Sequence, residues 1–337
     1  MKAAVLHGPG DVRFEDVADP QPGPGEIVVH TRAALTCGTD LKVVRRGYHA
    51  KMLHPPCVFG HEAAGEVAAL GKGVTDFKIG DLVVAANSAP CGACRFCRRH
   101  RESLCDDLLF WNGAFADSYV VPARVVGKNV LHLDGVSPED AAMMEPLACC
   151  VKGVEDTGVR EGDRVLVIGV GPIGLMLIRL CVLKGAHVTA AARRPESLLQ
   201  AKEHGAHASI KLAATEADLS LDSNEAASFD VVFDAGGASE TAALAIRSAL
   251  KGGIVNLFAG CPAGTSVSLD VTRVHYDEIR ILGSFHHTPA TFREAFRLIA
   301  SGAVSPSKFI TDRKPLAELP PTLIRPTSGS LKTLVTF

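Results

Sequence analysis

The 337-residue chain has no excess of basic residues, since 35 Lys and Arg stand against 37 Asp and Glu and leave a formal net charge of -2. A protein that neutralises many phosphates carries such an excess, so this balance argues against a nucleic-acid binder. No apolar run approaches the ~18–20 residues of a membrane span, and the first residues lack the apolar core of a secretory signal. We therefore expect a cytoplasmic protein that binds neither nucleic acid nor membrane.

The sequence also lacks internal repeats and low-complexity segments, and its length predicts two domains at ~150 residues per domain. Its first half is β-rich, because short apolar runs at 27–29, 83–85 and 119–121 are separated by Gly, Pro and Asp. No helical periodicity is sustained there before about 138–153. From Gly162 onward, strands alternate with helical patterns, which is typical of βαβ units and a parallel sheet.

The βαβ block is followed by a tail in which we predict one amphipathic helix and then Pro-rich loops. This tail is too short to fold alone, so we expect it to pack on the first half. The fold class is therefore α/β. The predicted boundaries give a β-rich domain over 1–148, a parallel-sheet domain over 149–286 and a return segment over 287–337.

Ten cysteines need an explanation in a cytosolic chain, because that location disfavours disulfides. Four of them share one short stretch with the spacing C-x2-C-x2-C-x7-C: Cys91, Cys94, Cys97 and Cys105. Four thiolates can close a tetrahedron around a structural zinc ion, and arginines in the same loop would offset their charge. The alternative is a metal-free loop whose arginines form a solvated face. Four cysteines so close together favour zinc.

A glycine-rich turn follows the predicted strand 164–169 and opens the predicted helix 172–184. In this context the G-x-G-x-x-G pattern predicts a dinucleotide site, whereas the pattern alone would be weak evidence. The glycines let a pyrophosphate approach the backbone, and free N–H groups at the helix N-terminus bind it. The predicted cofactor-binding residues of this turn are Gly169, Gly171, Pro172, Ile173 and Gly174.

The end of the next strand predicts which dinucleotide binds. An acidic residue ~20 residues past the glycines holds the ribose 2′-hydroxyl of NAD, but this chain has Ala192 at the strand end, followed by Arg193 and Arg194. Guanidinium groups there can bind a 2′-phosphate. We therefore predict NADP(H), with NAD as the alternative if the two arginines are only a solvated strand end.

Four scattered residues lie in short motifs with a glycine or proline that fixes a turn: Cys37 in CGTD, His61 and Glu62 in GHE, and Glu145 in EPL. Taken singly, a His beside a Glu is usually a surface pair or a satisfied core histidine. Together with the cysteine cluster and the glycine-rich turn, the four residues favour a functional site over isolated structural residues.

The motifs PGPGEIVV, CGTD, GHEAAGEV, the four-cysteine stretch, GAFADSYVVP, EPLACC and GDRVLVIGVGPIG follow one another nearly end to end. In this combination the chain resembles the zinc-containing medium-chain dehydrogenases, the alcohol and polyol dehydrogenase superfamily. Glu145 in EPL resembles the sorbitol, glucose and threonine dehydrogenase branch. The resemblance implies a GroES-like catalytic domain with a structural-zinc lobe at 91–105, a doubly wound Rossmann domain, and a homodimer or homotetramer.

The resemblance also implies roles for the scattered residues. Cys37 and His61 would bind a catalytic zinc together with a carboxylate, and both Glu62 and Glu145 match acidic positions at the zinc of the family. A catalytic zinc keeps one position open, so we expect the two carboxylates to exchange, or one of them to act without binding the metal. Asp40 matches the residue that orients the histidine ligand. With the cysteine cluster, this gives two zinc ions per chain.

By the same resemblance, zinc acts as a Lewis acid on a polyol, sugar or amino-alcohol while hydride passes to the nicotinamide. Thr39 matches the hydroxyl that starts the proton relay. Many relatives carry a histidine at the position of Lys42, and a protonated lysine cannot accept a proton, so ribose hydroxyls and water are the alternative outer route. Two other functions remain open: a secondary-alcohol or threonine dehydrogenase, and a non-catalytic sensor that binds nucleotide.

Overall fold

A computed structural model describes residues 1–48, 53–213, 227–327 and 329–337. The chain forms two compact units. The first comprises Met1–Ala148 and Thr288–Phe337, and the second comprises Cys149–His287. None of the helices in the described residues is long and apolar enough to cross a membrane.

The described residues form strands and helices throughout both units. In chain order the strands are β1 (Lys2–Gly8), β2 (Asp11–Asp16), β3 (Ile27–Leu35), β4 (Cys57–Val58), β5 (Ala63–Leu70), β6 (Leu82–Ala85), β7 (Ser88–Ala89), β8 (Leu109–Phe110), β9 (Ser118–Val121), β10 (Val130–His132), β11 (Arg164–Ile168), β12 (His187–Ala192), β13 (Ala208–Lys211), β14 (Phe229–Asp234), β15 (Ala249–Leu257), β16 (Arg280–Gly283), β17 (Ile310–Pro315) and β18 (Lys332–Thr336). The α-helices are α1 (Gly38–Arg46), α2 (Ala123–Asn129), α3 (Pro138–Ala141), α4 (Met144–Thr157), α5 (Pro172–Leu183), α6 (Pro195–Glu203), α7 (Ser239–Ser248), α8 (Val271–Tyr276), α9 (Pro289–Ala300) and α10 (Leu319–Ile324).

The main sheet of the first unit has the order β10-β6-β5-β3-β18-β17, and β9 also pairs with β3. Strand β18 runs antiparallel to β3, with Leu334 opposite Leu35. The tail therefore adds two strands to this sheet, so the prediction of loops after its helix is wrong. Strand β18 is only five residues long, and four of them are buried by pairing and packing that the local sequence does not reveal.

Two short helices in the first half also differ from the prediction. Helix α1 spans two and a half turns, too few to show a sustained apolar period, and it buries Val43 and Val44. Its boundaries come from local chemistry, because Cys37 caps its start and Gly47 ends it in the left-handed conformation (φ 79°). Helix α2 is shorter still and buries Val125.

In the second unit, described over 149–213 and 227–287, six strands form a parallel sheet in the order β13-β12-β11-β14-β15-β16. The order reverses direction between β11 and β14, which is where a doubly wound sheet binds its ligand. Both faces of β11 are covered, since Val165, Leu166, Val167 and Ile168 are fully buried. The predicted α/β class with a doubly wound parallel sheet is confirmed.

Candidate metal and cofactor sites

The four clustered cysteines form one group, which we call the four-cysteine lobe (91–105). The Sγ atoms of Cys91, Cys94, Cys97 and Cys105 all lie within 4.8 Å of one another. The Sγ of Cys94 lies 3.5 Å from that of Cys97 and 3.9 Å from that of Cys105. Four sulfurs at a zinc–sulfur distance of about 2.3 Å in a tetrahedron would be about 3.8 Å apart. The donor set and its spacing therefore fit a structural zinc ion.

Backbone groups of the lobe already favour thiolates at two of these positions. The N–H groups of Cys97 and Asp106 lower the pKa of the Cys94 thiol to about 6. The N–H groups of Ala93 and Cys94 likewise lower the pKa of Cys91. Burial instead raises the pKa of Cys97 to about 12. Zinc binding would therefore have to displace the proton of the more buried cysteine.

A second group, which we call the mixed-donor site, consists of Cys37, His61 and Glu62. One donor atom from each residue, a sulfur, a ring nitrogen and a carboxylate oxygen, lies within 4.8 Å of the others. His61 and Glu62 are buried and Cys37 is half-buried. Sulfur, imidazole and carboxylate are all zinc ligands, so the donor set fits the metal that the sequence predicts.

The spacing of CGTD explains how Cys37 and His61 are held together. Cys37 is the N-cap of α1, and its backbone N–H donates to Oδ2 of Asp40 at 2.8 Å. The other oxygen of Asp40, Oδ1, lies 3.3 Å from Nδ1 of His61. Because Asp40 occupies Nδ1, the imidazole offers Nε2 to the donor cluster. One buried carboxylate thus fixes the helix start and the histidine orientation.

The glycine of GHE is a steric requirement for this arrangement. Gly60 has a φ of 93°, and a Cβ built there would lie 2.7 Å from the ring of Phe115. Its carbonyl accepts hydrogen bonds from the N–H groups of Gly113 and Ala114 at 3.0 and 3.1 Å. Gly60 therefore lets the chain turn tightly just before His61 and Glu62, which directly precede β5.

Glu62 has a buried cationic partner that the sequence analysis did not identify. Nζ of Lys332, the first residue of β18, donates to Oε2 of Glu62 at 2.5 Å and to the carbonyl of Thr36 at 3.0 Å. Lys332 is 3% exposed and Glu62 is fully buried. Among the described residues, Oε1 of Glu62 has no hydrogen-bond partner. A buried, unpaired carboxylate oxygen beside a thiol and an imidazole is an acceptor that a metal ion would satisfy.

Burial dominates the electrostatics of this pair. Burial raises the pKa of Glu62 to about 7, and the nearby charge of Glu145 adds to this increase, whereas Lys332 is the largest influence that favours the ionised carboxylate. Burial alone lowers the pKa of Lys332, but the charges of Glu62, Cys37 and Glu145 outweigh it and raise the pKa overall. Glu145 lies in the first turn of α4. Its charge and those of Cys37 and Glu62 therefore all favour the protonated ammonium group of Lys332.

The second unit contains a cleft of about 680 Å³ at the carboxyl ends of its central strands. Gly169 and Gly171 line this cleft, together with Ala192, Arg193 and Arg194. Gly171 is the N-cap of α5, and a Cβ added there would meet no described atom within 4 Å. The space in front of this helix N-terminus is therefore open to a ligand, as a pyrophosphate requires.

The other two glycines of the turn serve its packing. Gly169 has a φ of 90°, and a Cβ there would lie 2.8 Å from the backbone nitrogen of Gly236. A Cβ at Gly174 would lie 2.0 Å from the carbonyl oxygen of Gly169. The helix can therefore approach the strand only without side chains at these positions. Pro172 and Ile173 form the first turn of α5 behind Gly171.

A third cation lies beside the two predicted arginines. Lys211 ends β13 in parallel register with Ala192 and lines the same cleft. The cleft also contains Glu240, which follows β14. Strands β12 and β14 are separated by β11, so at about 4.8 Å per strand this carboxylate lies on the opposite side of the cleft. The positive charge is therefore concentrated at the ends of β12 and β13.

Comparison with known proteins assigns both units. Residues 23–131 match the family model of the alcohol dehydrogenase GroES-like domain, and residues 172–301 match that of the zinc-binding dehydrogenases. A D-altritol 5-dehydrogenase of Agrobacterium fabrum is 32% identical over 326 residues, which cover 93% of this chain and 92% of that protein. The chain belongs to the zinc-containing medium-chain dehydrogenases. The predicted family and enzyme class, a zinc- and nicotinamide-dependent alcohol or polyol dehydrogenase, are confirmed.

Two further relatives match nearly the whole length of this dehydrogenase. A sorbitol dehydrogenase of Bacillus subtilis is 29% identical over 324 residues, which cover 94% of this chain and 91% of that protein. A zinc-binding dehydrogenase from Sinorhizobium meliloti 1021, solved in complex with NADP, superposes with a TM-score of 0.90 at 31% identity and covers 100% of this chain and 99% of that one. The whole described chain thus shares the fold of the family.

Two residues in the sites of this dehydrogenase were not predicted from its sequence. Lys332 lies in a short apolar strand, where a lysine ordinarily points to solvent. Lys211 ends a four-residue strand that the sequence analysis did not identify. The sequence did contain a signal for Lys211. A 2′-phosphate would lie near the end of the strand next to Ala192, so a cation in that position could have been expected. For Lys332 no local signal exists.

Proposed function

We propose that this dehydrogenase interconverts a polyol, sugar or amino-alcohol and its ketone, with NADP(H) as the hydride carrier and two zinc ions per chain. The observation that carries the proposal is the mixed-donor site, where sulfur, imidazole and carboxylate donors meet around a buried carboxylate oxygen that has no partner in the described structure. A nucleotide sensor would not need such a site.

Within this proposal, Cys37, His61 and a carboxylate from Glu62 or Glu145 would hold the zinc, which when bound supplies Lewis-acid activation of the substrate oxygen. The surrounding residues orient the ligands. Asp40 fixes the tautomer of His61, and the backbone N–H of Thr39 donates to Sγ of Cys37 at 3.4 Å. Thr39 follows Cys37 by two residues, and we assign its hydroxyl as the acceptor of the substrate proton.

Charge supports the choice of NADP(H). Arg193, Arg194 and Lys211 line the cleft at the ends of β12 and β13, and Ala192 brings no carboxylate that would repel a 2′-phosphate. Guanidinium groups bind phosphate through charge-assisted, bidentate hydrogen bonds. The NADP complex of the Sinorhizobium meliloti protein supports the same choice for this chain.

The relatives support a polyol substrate, since one is a sorbitol dehydrogenase and another a D-altritol dehydrogenase. The test is a panel of polyols, amino-alcohols and secondary alcohols, each assayed with NAD⁺ and NADP⁺. We expect the highest kcat/KM with a polyol and NADP⁺. A simple secondary alcohol that exceeds every polyol would contradict the substrate class. Assembly as a homodimer or homotetramer is part of the proposal, and a measured molar mass in solution tests it.

Three variants test the cofactor choice separately from the substrate. Ala192→Asp combined with Arg193→Ser should reverse the preference from NADP⁺ to NAD⁺, because the carboxylate binds a ribose hydroxyl and repels the phosphate. Lys211→Gln should raise KM for NADP⁺ and leave KM for NAD⁺ unchanged. Lys184→Gln removes a lysine at the opposite end of α5 and should change neither value. A native enzyme that prefers NAD⁺ tenfold would overturn the cofactor choice alone.

A further inference from the structure

The buried ion pair between Lys332 and Glu62 lies at the mixed-donor site and is used by no step of the proposed reaction. Oε2 of Glu62 is held by Nζ of Lys332, while Oε1 has no partner in the described part of the chain. The two oxygens of one carboxylate are therefore unequal, because one is occupied by a cation of the protein and the other is available.

We propose that Lys332 is a positioning residue for the zinc of the mixed-donor site, an inference that rests on the proposed function. Its ammonium group binds one oxygen of Glu62 and leaves the other oxygen for the metal. Lys332 thereby restricts Glu62 to binding through a single oxygen, which keeps a position on the metal available for substrate.

The backbone around Lys332 supports this role by making its position rigid. Its Nζ also donates to the carbonyl of Thr36, the residue before Cys37. The N–H of Thr333 donates to Oγ1 of Thr36 at 3.0 Å, and the N–H of Thr36 donates to the carbonyl of Thr333 at 3.1 Å. Strand β18 is thus bonded to the segment that carries the cysteine ligand, so the ammonium group is fixed relative to Cys37 and Glu62.

The negative charges near Lys332 are a second observation that supports its role at this site. Cys37, Glu62 and Glu145 all act electrostatically on its ammonium group. A thiolate and two carboxylates would exceed the charge of one Zn²⁺ by one negative charge, and Lys332 supplies the balancing positive charge. Burying a charge is costly unless the charge is paired, so this lysine stabilises these three neighbouring anions both with and without the metal.

The test uses zinc affinity, measured by stepwise competition with a chromophoric chelator, and thermal unfolding of the metal-free chain. The zinc retained by His61→Ala identifies the share held by the four-cysteine lobe. Lys332→Met should weaken the other zinc by about 10–100-fold, as expected for loss of a group that orients a ligand, and should lower the Tm of the metal-free chain. Lys314→Met, in the neighbouring strand with an exposed partner at 3.6 Å, is the matched control and should change neither value.

A double variant separates positioning from general stability. Lys332→Met combined with Glu62→Gln leaves a neutral pair, so the Tm should recover while zinc affinity stays low. Lys332→Arg keeps the charge and should recover part of the affinity. Unchanged zinc affinity in Lys332→Met would overturn this inference alone, as would recovery of affinity together with Tm in the double variant. A native chain that binds only one zinc would overturn the proposed function as well.

Discussion

The four-cysteine lobe and the mixed-donor site belong to the same unit and fit the same metal, but they are built in opposite ways. The lobe takes four identical donors from one loop, and the ends of its ligand set are only 14 positions apart. Its sulfurs accept hydrogen bonds from neighbouring backbone N–H groups. The mixed-donor site takes unlike donors from two turns, and its balancing lysine lies 270 positions from Glu62.

This difference in how the ligands are arranged matches the role that each metal ion would have. A loop that supplies all four ligands completes the coordination of its metal, which suits a structural ion. A site that needs an open coordination position has too few ligands of its own to enclose the metal, so the surrounding fold must hold each ligand in place. Asp40, Gly60 and Lys332 supply that support at the mixed-donor site.

The largest effect should come from His61→Ala. Removing this ligand takes away the Lewis acid, which contributes several kcal/mol to catalysis, so kcat/KM should fall by at least about 10³-fold. Zinc content should drop from two ions to one per chain while the protein stays folded. His132→Ala, which removes a half-exposed histidine of the same unit, should leave activity unchanged. Near-normal turnover by His61→Ala would show that the site lies elsewhere.

Cys94→Ser should affect stability rather than chemistry directly. The lobe would lose its zinc, and because metal affinity in such a site is partly folding free energy, we expect Tm to fall by about 5–10 °C. The measurement is calorimetry together with zinc content. Cys57→Ser replaces a half-buried cysteine outside both sites and serves as the control. If Tm is unaffected in Cys94→Ser, the lobe does not stabilise the fold.

The smallest effect should come from Asp40→Asn. The amide oxygen can still accept from the N–H of Cys37, but it loses the charge that faces His61, so zinc affinity at the mixed-donor site should fall by about 10–100-fold. Chelator competition measures this change. Asp140→Asn alters an aspartate in the first turn of α3 and should not change zinc affinity. An equal effect of both variants would assign Asp40 a purely structural role.

The sequence predicts the two metal sites to different extents, because one is built from contiguous residues and the other from scattered ones. The lobe and the glycine-rich turn are contiguous, so their spacing alone defines the geometry. The scattered ligands could be associated only through the resemblance to a family, because nothing in the sequence brings Cys37 close to His61. Lys332 could not be predicted, since its burial depends on the pairing of β18 with β3 and on a carboxylate far away in sequence.

The 270 positions between Glu62 and Lys332 also set an order of events during synthesis. At about 5–20 residues per second, a ribosome needs roughly 15–50 s to pass from one residue to the other. The lobe can bind its metal during that interval. Glu62, in contrast, cannot pair with Lys332 until the entire second unit has been synthesised. A nascent chain should therefore acquire zinc in two stages, and the carboxylate of Glu62 should be the last of these groups to be neutralised.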